Sequence, residues 1–244
     1  MKKSVLMIIV GVCIISVVGC GKADNSMAGE ETIATVAADG DNQSANTTGT
    51  KDDLSSYSDY ESIENATNKD VKETLTKIKE SGENLGNSIT SYSSYDSNKD
   101  NVTNWYKESV DTANQLYERI CKGTYAYYYL IAKNGLSEYT TWNGALEDAY
   151  DMWNDNISDV YDQLNESFND LYDICNKAIY SDDKPEYSIY SKAWKDMYET
   201  YSDRWKEMYD DYSDTWSDFY KEYSDVYSGF YKGNTDLSSM LKKK

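Results

Sequence analysis

Beyond residue 66 the apolar positions of the chain step by threes and fours, the period of a helix buried along one side. A first run carries Val71, Leu75, Ile78, Leu85, Ile89 and Tyr92, with Gly82 in one apolar slot as a weak point. The polar stretch from Ser93 to Asp100 is expected to interrupt the chain before a second run. In that run Trp105, Leu116 and Tyr127 lie eleven apart, and Asn134-Gly135 reads as a helix C-cap. The third run is more regular. Trp142, Trp153, Leu164 and Cys175 repeat every eleven residues, as do Leu146, Ile157, Phe168 and Ile179. Tyr150, Tyr161 and Tyr172 keep the same interval, and so do Asn143, Asn154, Asn165 and Asn176. The fourth run is led by Trp194, Trp205 and Trp216, followed by Met197, Met208 and Phe219, then Tyr201, Tyr212 and Tyr223.

Eleven residues over three turns is about 3.67 per turn, so such helices pack nearly straight or with a gentle right-handed coil. Ser181-Asp182-Asp183-Lys184-Pro185 reads as a tight turn, its proline (the only one in the chain) in the first turn of the next helix. Two long helices joined there predict an antiparallel hairpin, with a shorter first pair packed along it. The expectation is an all-α fold: an elongated antiparallel bundle of three to four helices over 67–241. Its helices are placed at about 67–92, 101–133, 139–180 and 185–231.

Upstream the periodicity is missing. Lys2 and Lys3 precede an uncharged run from Val5 to Val18, short for a span of about twenty residues and suited to a signal-peptide core. Val17-Val18-Gly19-Cys20 resembles the lipobox of bacterial lipoproteins. The resemblance implies that 1–19 is removed and that a diacylglyceryl thioether forms on Cys20. The mature chain would then be held to the outer face of the cell membrane by acyl chains such as palmitate. Gly21, in place of the retention-signalling Asp, and the Lys-, Asn- and Tyr-rich composition favour a Gram-positive source. Residues 20–66 are mostly Gly, Ser, Thr, Asn, Asp and Ala with almost no large apolar side chain before Tyr57, too little surface to offset ordering. They are expected as a disordered tether with a reach of roughly 35–40 Å.

Composition narrows the chemistry. The chain has 25 Tyr against 3 Phe, no His and a formal charge of −19. Without His, Ser-His-Asp triads, His-ligated zinc and Glu-x-x-His di-iron sites are excluded. The negative charge opposes nucleic-acid binding. No catalytic residue and no cofactor are expected, and the chain reads as a non-enzyme.

Acids recur on the polar faces of the third and fourth helices, about 200° from the apolar stripe, as solvated ridges. Asp159, Asp162 and Glu166 on one ridge, and Asp203, Glu207 and Asp210 on the other, offer at most a weak, diffuse Ca²⁺ site. The same ridges suit a cationic protein partner. Cys121 and Cys175 fall roughly 33 Å apart in this register, beyond disulfide reach, and are expected as thiols near apolar slots. Tyr125, Tyr127, Tyr128 and Tyr129 surround one helix, so at least one is expected to point away from the local core, where an exposed patch could form, although core and boundary positions account for most tyrosines.

The leading functional expectation is a lipid-anchored surface protein whose acidic, aromatic-cored rod is an interaction or scaffold module. Segments such as Tyr212-Ser213-Asp214-Thr215-Trp216-Ser217-Asp218-Phe219-Tyr220 resemble Gram-positive lipoproteins with Tyr-rich eleven-residue helical repeats, from which no activity carries over. The alternatives are a peripheral membrane-binding amphipathic-helix protein and a solute- or glycan-binding lipoprotein. The first is opposed by ten acids against four bases in 194–231. A homo-oligomer pairing the long helices between chains stands beside closure within one chain.

Overall fold

The computed structural model describes residues 58–135 and 138–240. Cys20, the signal segment, most of the tether and residues 241–244 lie outside the described residues. The described chain is all-helical, an antiparallel bundle. α1 spans Tyr60–Asn87, α2 Tyr92–Asn134, α3 Tyr139–Ile179 and α4 Tyr187–Tyr231, and a single turn, α5, spans Leu237–Met240. Among the described residues there is no strand, and no helix is long and apolar enough to cross a membrane.

α4 begins at Tyr187 after its cap residue Glu186, so Pro185 precedes the helix instead of lying in its first turn. Two further boundaries differ from expectation, each because a cap acts where the periodicity is silent. α1 begins at Tyr60, inside the segment read as tether. The Asp59 carboxylate accepts the Ser62 N–H at 2.7 Å, Ile63 is fully buried, and the Tyr60 ring stacks on Tyr127 at 5.0 Å. The break after α1 falls at Ser88–Ser91, and Ser93 to Asp100 is helical. Ser91 and Ser94 form a reciprocal capping box there. The α3–α4 turn adds a second cap: the Tyr92 N–H donates to Ser181 Oγ and to Asp183 Oδ1, and the Ser93 N–H to Asp183 Oδ2. A polar sequence therefore becomes the first turns of a 43-residue α2, comparable in length to the 41 residues of α3 and the 45 of α4. The bundle has three long helices and one short one.

α2 and α3 form the central antiparallel pair. α1 contacts both, α4 contacts both, and α1 and α4 do not touch each other, so they occupy opposite grooves of that pair. At the middle of the core Phe168 meets Tyr106 edge-on at 4.7 Å, and the Tyr106 hydroxyl donates to the Phe168 carbonyl at 3.0 Å. Burial thus leaves this phenol satisfied. Cys175 is fully buried, which pushes its thiol up to about 12, and Cys121 is half-buried; both are thiols.

Gly82 is a socket and not a weak point. A Cβ there would lie 2.6 Å from the Trp105 indole, which packs flush on the α1 backbone and donates through Nε1 to Ser81 Oγ at 2.9 Å. Gly144, by contrast, has open space around its Cα. Gly82→Ala should therefore destabilise the protein by about 1–2 kcal/mol, overpacking outweighing the gain in helix propensity. Gly144→Ala should stabilise it by up to about 1 kcal/mol. Urea denaturation of the two variants against the parent tests both signs.

The cap on α2 carries a pH dependence. Hydrogen bonds from Ser181, Ser93 and Tyr92 hold the Asp183 carboxyl at about 2, below its ordinary 3.8. A lowered carboxyl pKa stabilises the fold above the unfolded value and loses that contribution as pH falls through the folded value. The melting-temperature gap between parent and Asp183→Asn should be full above 3.8 and close as pH falls through about 2. Thermal melts across that interval by circular dichroism measure it.

Candidate interaction surface

The eleven-residue repeats of α3 and α4 run in opposite directions and mesh in phase. Tyr150 packs on Tyr223, Tyr161 on Tyr212 and Tyr172 on Tyr201, with ring centroids 4.9, 4.5 and 4.6 Å apart. Beside these pairs the indole N–H groups of Trp205 and Trp216 donate across the seam to Asn165 Oδ1 at 2.8 Å and Asn154 Oδ1 at 3.5 Å. The third rung departs from this pattern. Asn176 Oδ1 is buried without a partner. Below the seam Trp153 lies nearly parallel to Phe219 at 5.4 Å, and Trp142 packs on Phe230 one repeat away.

Outward of each half-buried α4 tryptophan, the tyrosine one turn on lies flat against it. Trp194–Tyr198, Trp205–Tyr209 and Trp216–Tyr220 stack at 5.6, 5.6 and 5.4 Å with interplanar angles of 14°, 7° and 6°. These outer rings remain 46, 43 and 48 % exposed. Among the described residues, large exposed apolar side chains otherwise occur at Tyr139, Tyr180, Tyr187, Ile189 and Tyr231, also on or beside α3 and α4. Among the described residues, the faces of α1 and α2 present none. Each outer ring has a polar neighbourhood from α3. Tyr172 senses Tyr198 and Asp173, Tyr161 senses Tyr209 and Asp162, and Tyr150 senses Tyr220 and Asp151. Burial first, then these neighbours, raises the three α3 phenols, so they stay neutral hydroxyls.

The tyrosines singled out as an outward patch are turned inward. Tyr125 is buried, Tyr127 and Tyr128 are 1 % exposed, and Tyr129 is half-buried. The α2 helix sits at the centre of the bundle, with α1, α3 and α4 around it, so a ring of aromatics finds cover on every side. Asp159, Asp162 and Glu166 on α3, and Asp203, Glu207 and Asp210 on α4, are all exposed. Glu207 is ion-paired with Arg204. Asp159 is raised by partial burial and then by Asp155 and Asp162. Among the described residues no group of three or more acids or thiols is placed to share a metal ion.

Sequence reasoning passed over Glu222, a carboxylate only 4 % exposed that receives the Tyr125 hydroxyl as a hydrogen bond. The signal lay in the sixth position after each α4 tryptophan. There the chain places Thr200, Asp211 and Glu222, and the two acids meet α2. Asp211 accepts from Asn114 Nδ2 at 2.8 Å in the same register. No family model matches the chain, and comparisons with curated proteins and with solved structures likewise gave no match.

Tyr125→Phe removes a donor from a buried carboxylate and should cost about 1–3 kcal/mol. Replacing both partners, as Tyr125→Phe with Glu222→Met, should recover most of that loss. A double-mutant cycle by chemical denaturation separates the pair from the lone tyrosine change.

Proposed function

We propose that this chain is a non-enzymatic, lipid-anchored cell-surface protein whose helical rod is an interaction module presented through its α3–α4 face. The observation that carries the reading is one-sidedness. The stacked, exposed aromatic pairs lie on α4, and the acid rows line α3 and α4, while the opposite face around α1 is ordinary polar surface. Exposed apolar rings arranged in a row mark a surface that meets something. The acids along it are exposed, and only Asp151 and Asp159 are raised by partial burial, short of the enclosure that makes an active-site carboxyl a general acid or base.

Anchoring rests on the lipobox-like Val17-Val18-Gly19-Cys20. More than one acyl chain on Cys20 would hold the protein to a bilayer, where a single chain binds only marginally. The rod's acidity opposes direct adsorption to an anionic leaflet, so the lipid would be the sole attachment.

Cells grown with an alkyne-tagged fatty acid should label the parent protein. Cys20→Ala should lose the label and move from the membrane fraction to the soluble fraction. Labelling that survives the substitution would refute the anchor.

A further inference from the structure

We infer that the α3–α4 seam is a docking strip for an extended, lysine- or arginine-rich polypeptide, with three successive subsites for cationic side chains. The inference rests on the reading of the rod as an interaction module and names the partner chemistry of that face.

Each subsite is made of the same parts in the same order. An exposed tyrosine of α4 (Tyr198, Tyr209 or Tyr220) is backed by a parallel tryptophan that fixes its ring. Across the seam stands the α3 tyrosine that packs on the α4 tyrosine three residues further along, and an exposed aspartate follows it: Tyr172-Asp173, Tyr161-Asp162 or Tyr150-Asp151. In the middle subsite the Tyr161 and Tyr209 rings are 6.2 Å apart and steeply inclined, so two aromatic surfaces border one carboxylate. Aromatic faces attract cations through the ring quadrupole, and an adjacent carboxylate adds a formal charge.

Charge complementarity selects the occupant. α3 carries nine acids and a single base, Lys177, in its last turn, so its side of the seam offers no competing cation along the subsites. On α4, Lys192, Lys195, Arg204 and Lys221 are paired with acids of their own helix, and the exposed Lys206 is outnumbered by the acids around it. A second copy of this chain, with a formal charge of −19, would bring like charge to the strip. The interval selects a polymer over a small cation. Eleven helical residues advance about 16 Å, which an extended polypeptide covers in about five residues. Because side chains of an extended chain alternate between its two faces, a contiguous basic run presents a cation to all three subsites.

The probe is dodecalysine, titrated into the full chain in non-ionic detergent and followed by calorimetry and tryptophan fluorescence. Three variants divide the possibilities. Tyr198→Ser with Tyr209→Ser and Tyr220→Ser removes the rings without changing charge. Asp151→Asn with Asp162→Asn and Asp173→Asn removes the seam carboxylates. Glu73→Gln with Glu80→Gln and Glu83→Gln removes the same charge from exposed positions of α1. Both seam variants should weaken binding at least about tenfold, each exposed cation–π contact contributing a factor of about two to five, and the α1 variant less than about twofold. Circular dichroism verifies folding, and the single change Tyr209→Ser, expected to cost about two- to fivefold, serves if the triple variant unfolds.

A parent that ignores dodecalysine overturns the inference, while the anchored-module reading keeps its own test in the lipid label. So does an α1 variant that weakens binding as much as the seam aspartates do, since attraction would then be diffuse. Binding of neutral cellohexaose that is lost with the three tyrosines, alongside dodecalysine binding that is not, would reassign the strip to a glycan.

Discussion

Between α3 and α4, tyrosine meets tyrosine every eleven residues, and tryptophans reach asparagines beside them. This mesh is the constraint on which the rest of the rod depends. Ser, Asp, Asn and Tyr are mediocre helix formers, and helices this long gain little from propensity. Their stability comes from the buried stripe, and the stripe is buried only when the two repeats run antiparallel and in phase. The same phase sets the tryptophans at the edge of the seam. From there each supports an outer tyrosine, so the exposed ladder is the outer layer of the packing that holds the hairpin.

Much of this was legible in the sequence because eleven-residue periodicity is redundant. Leu146, Ile157, Phe168 and Ile179 announce one face four times, and the acids opposite confirm the other. The all-α bundle followed from that redundancy. What stayed hidden depends on contacts between distant segments. Nothing near Ser93 reveals that Asp183, ninety residues on, would cap its backbone. Gly82 looked like a missing side chain, since the indole that fills its place belongs to another helix.

The surface was harder to read than the core. A cluster of four tyrosines in α2 drew attention because it was locally dense, yet density is what a central helix needs when neighbours surround it. The outer rings of α4 were inconspicuous, scattered singly at long intervals among twenty-five tyrosines. Only the placement of α4 in an outer groove leaves Tyr198, Tyr209 and Tyr220 half in water. Glu222 escaped notice for the complementary reason: it sits among solvated acids in the sequence, but its position in the repeat faces α2.

A repeat this strict also makes the rod nearly indifferent to translation along itself. Shifting α4 by one period would set tryptophan on asparagine and tyrosine on tyrosine again, forfeiting mainly the end rungs. The contacts that break the degeneracy are few: Glu222 with Tyr125, Asp211 with Asn114, and the short turn at 180–186. They act as index marks on an otherwise uniform scale. The rod's length is therefore quantised. It can grow or shrink by one unit of about 16 Å when eleven residues enter or leave α2, α3 and α4 together, the index marks carried along unchanged.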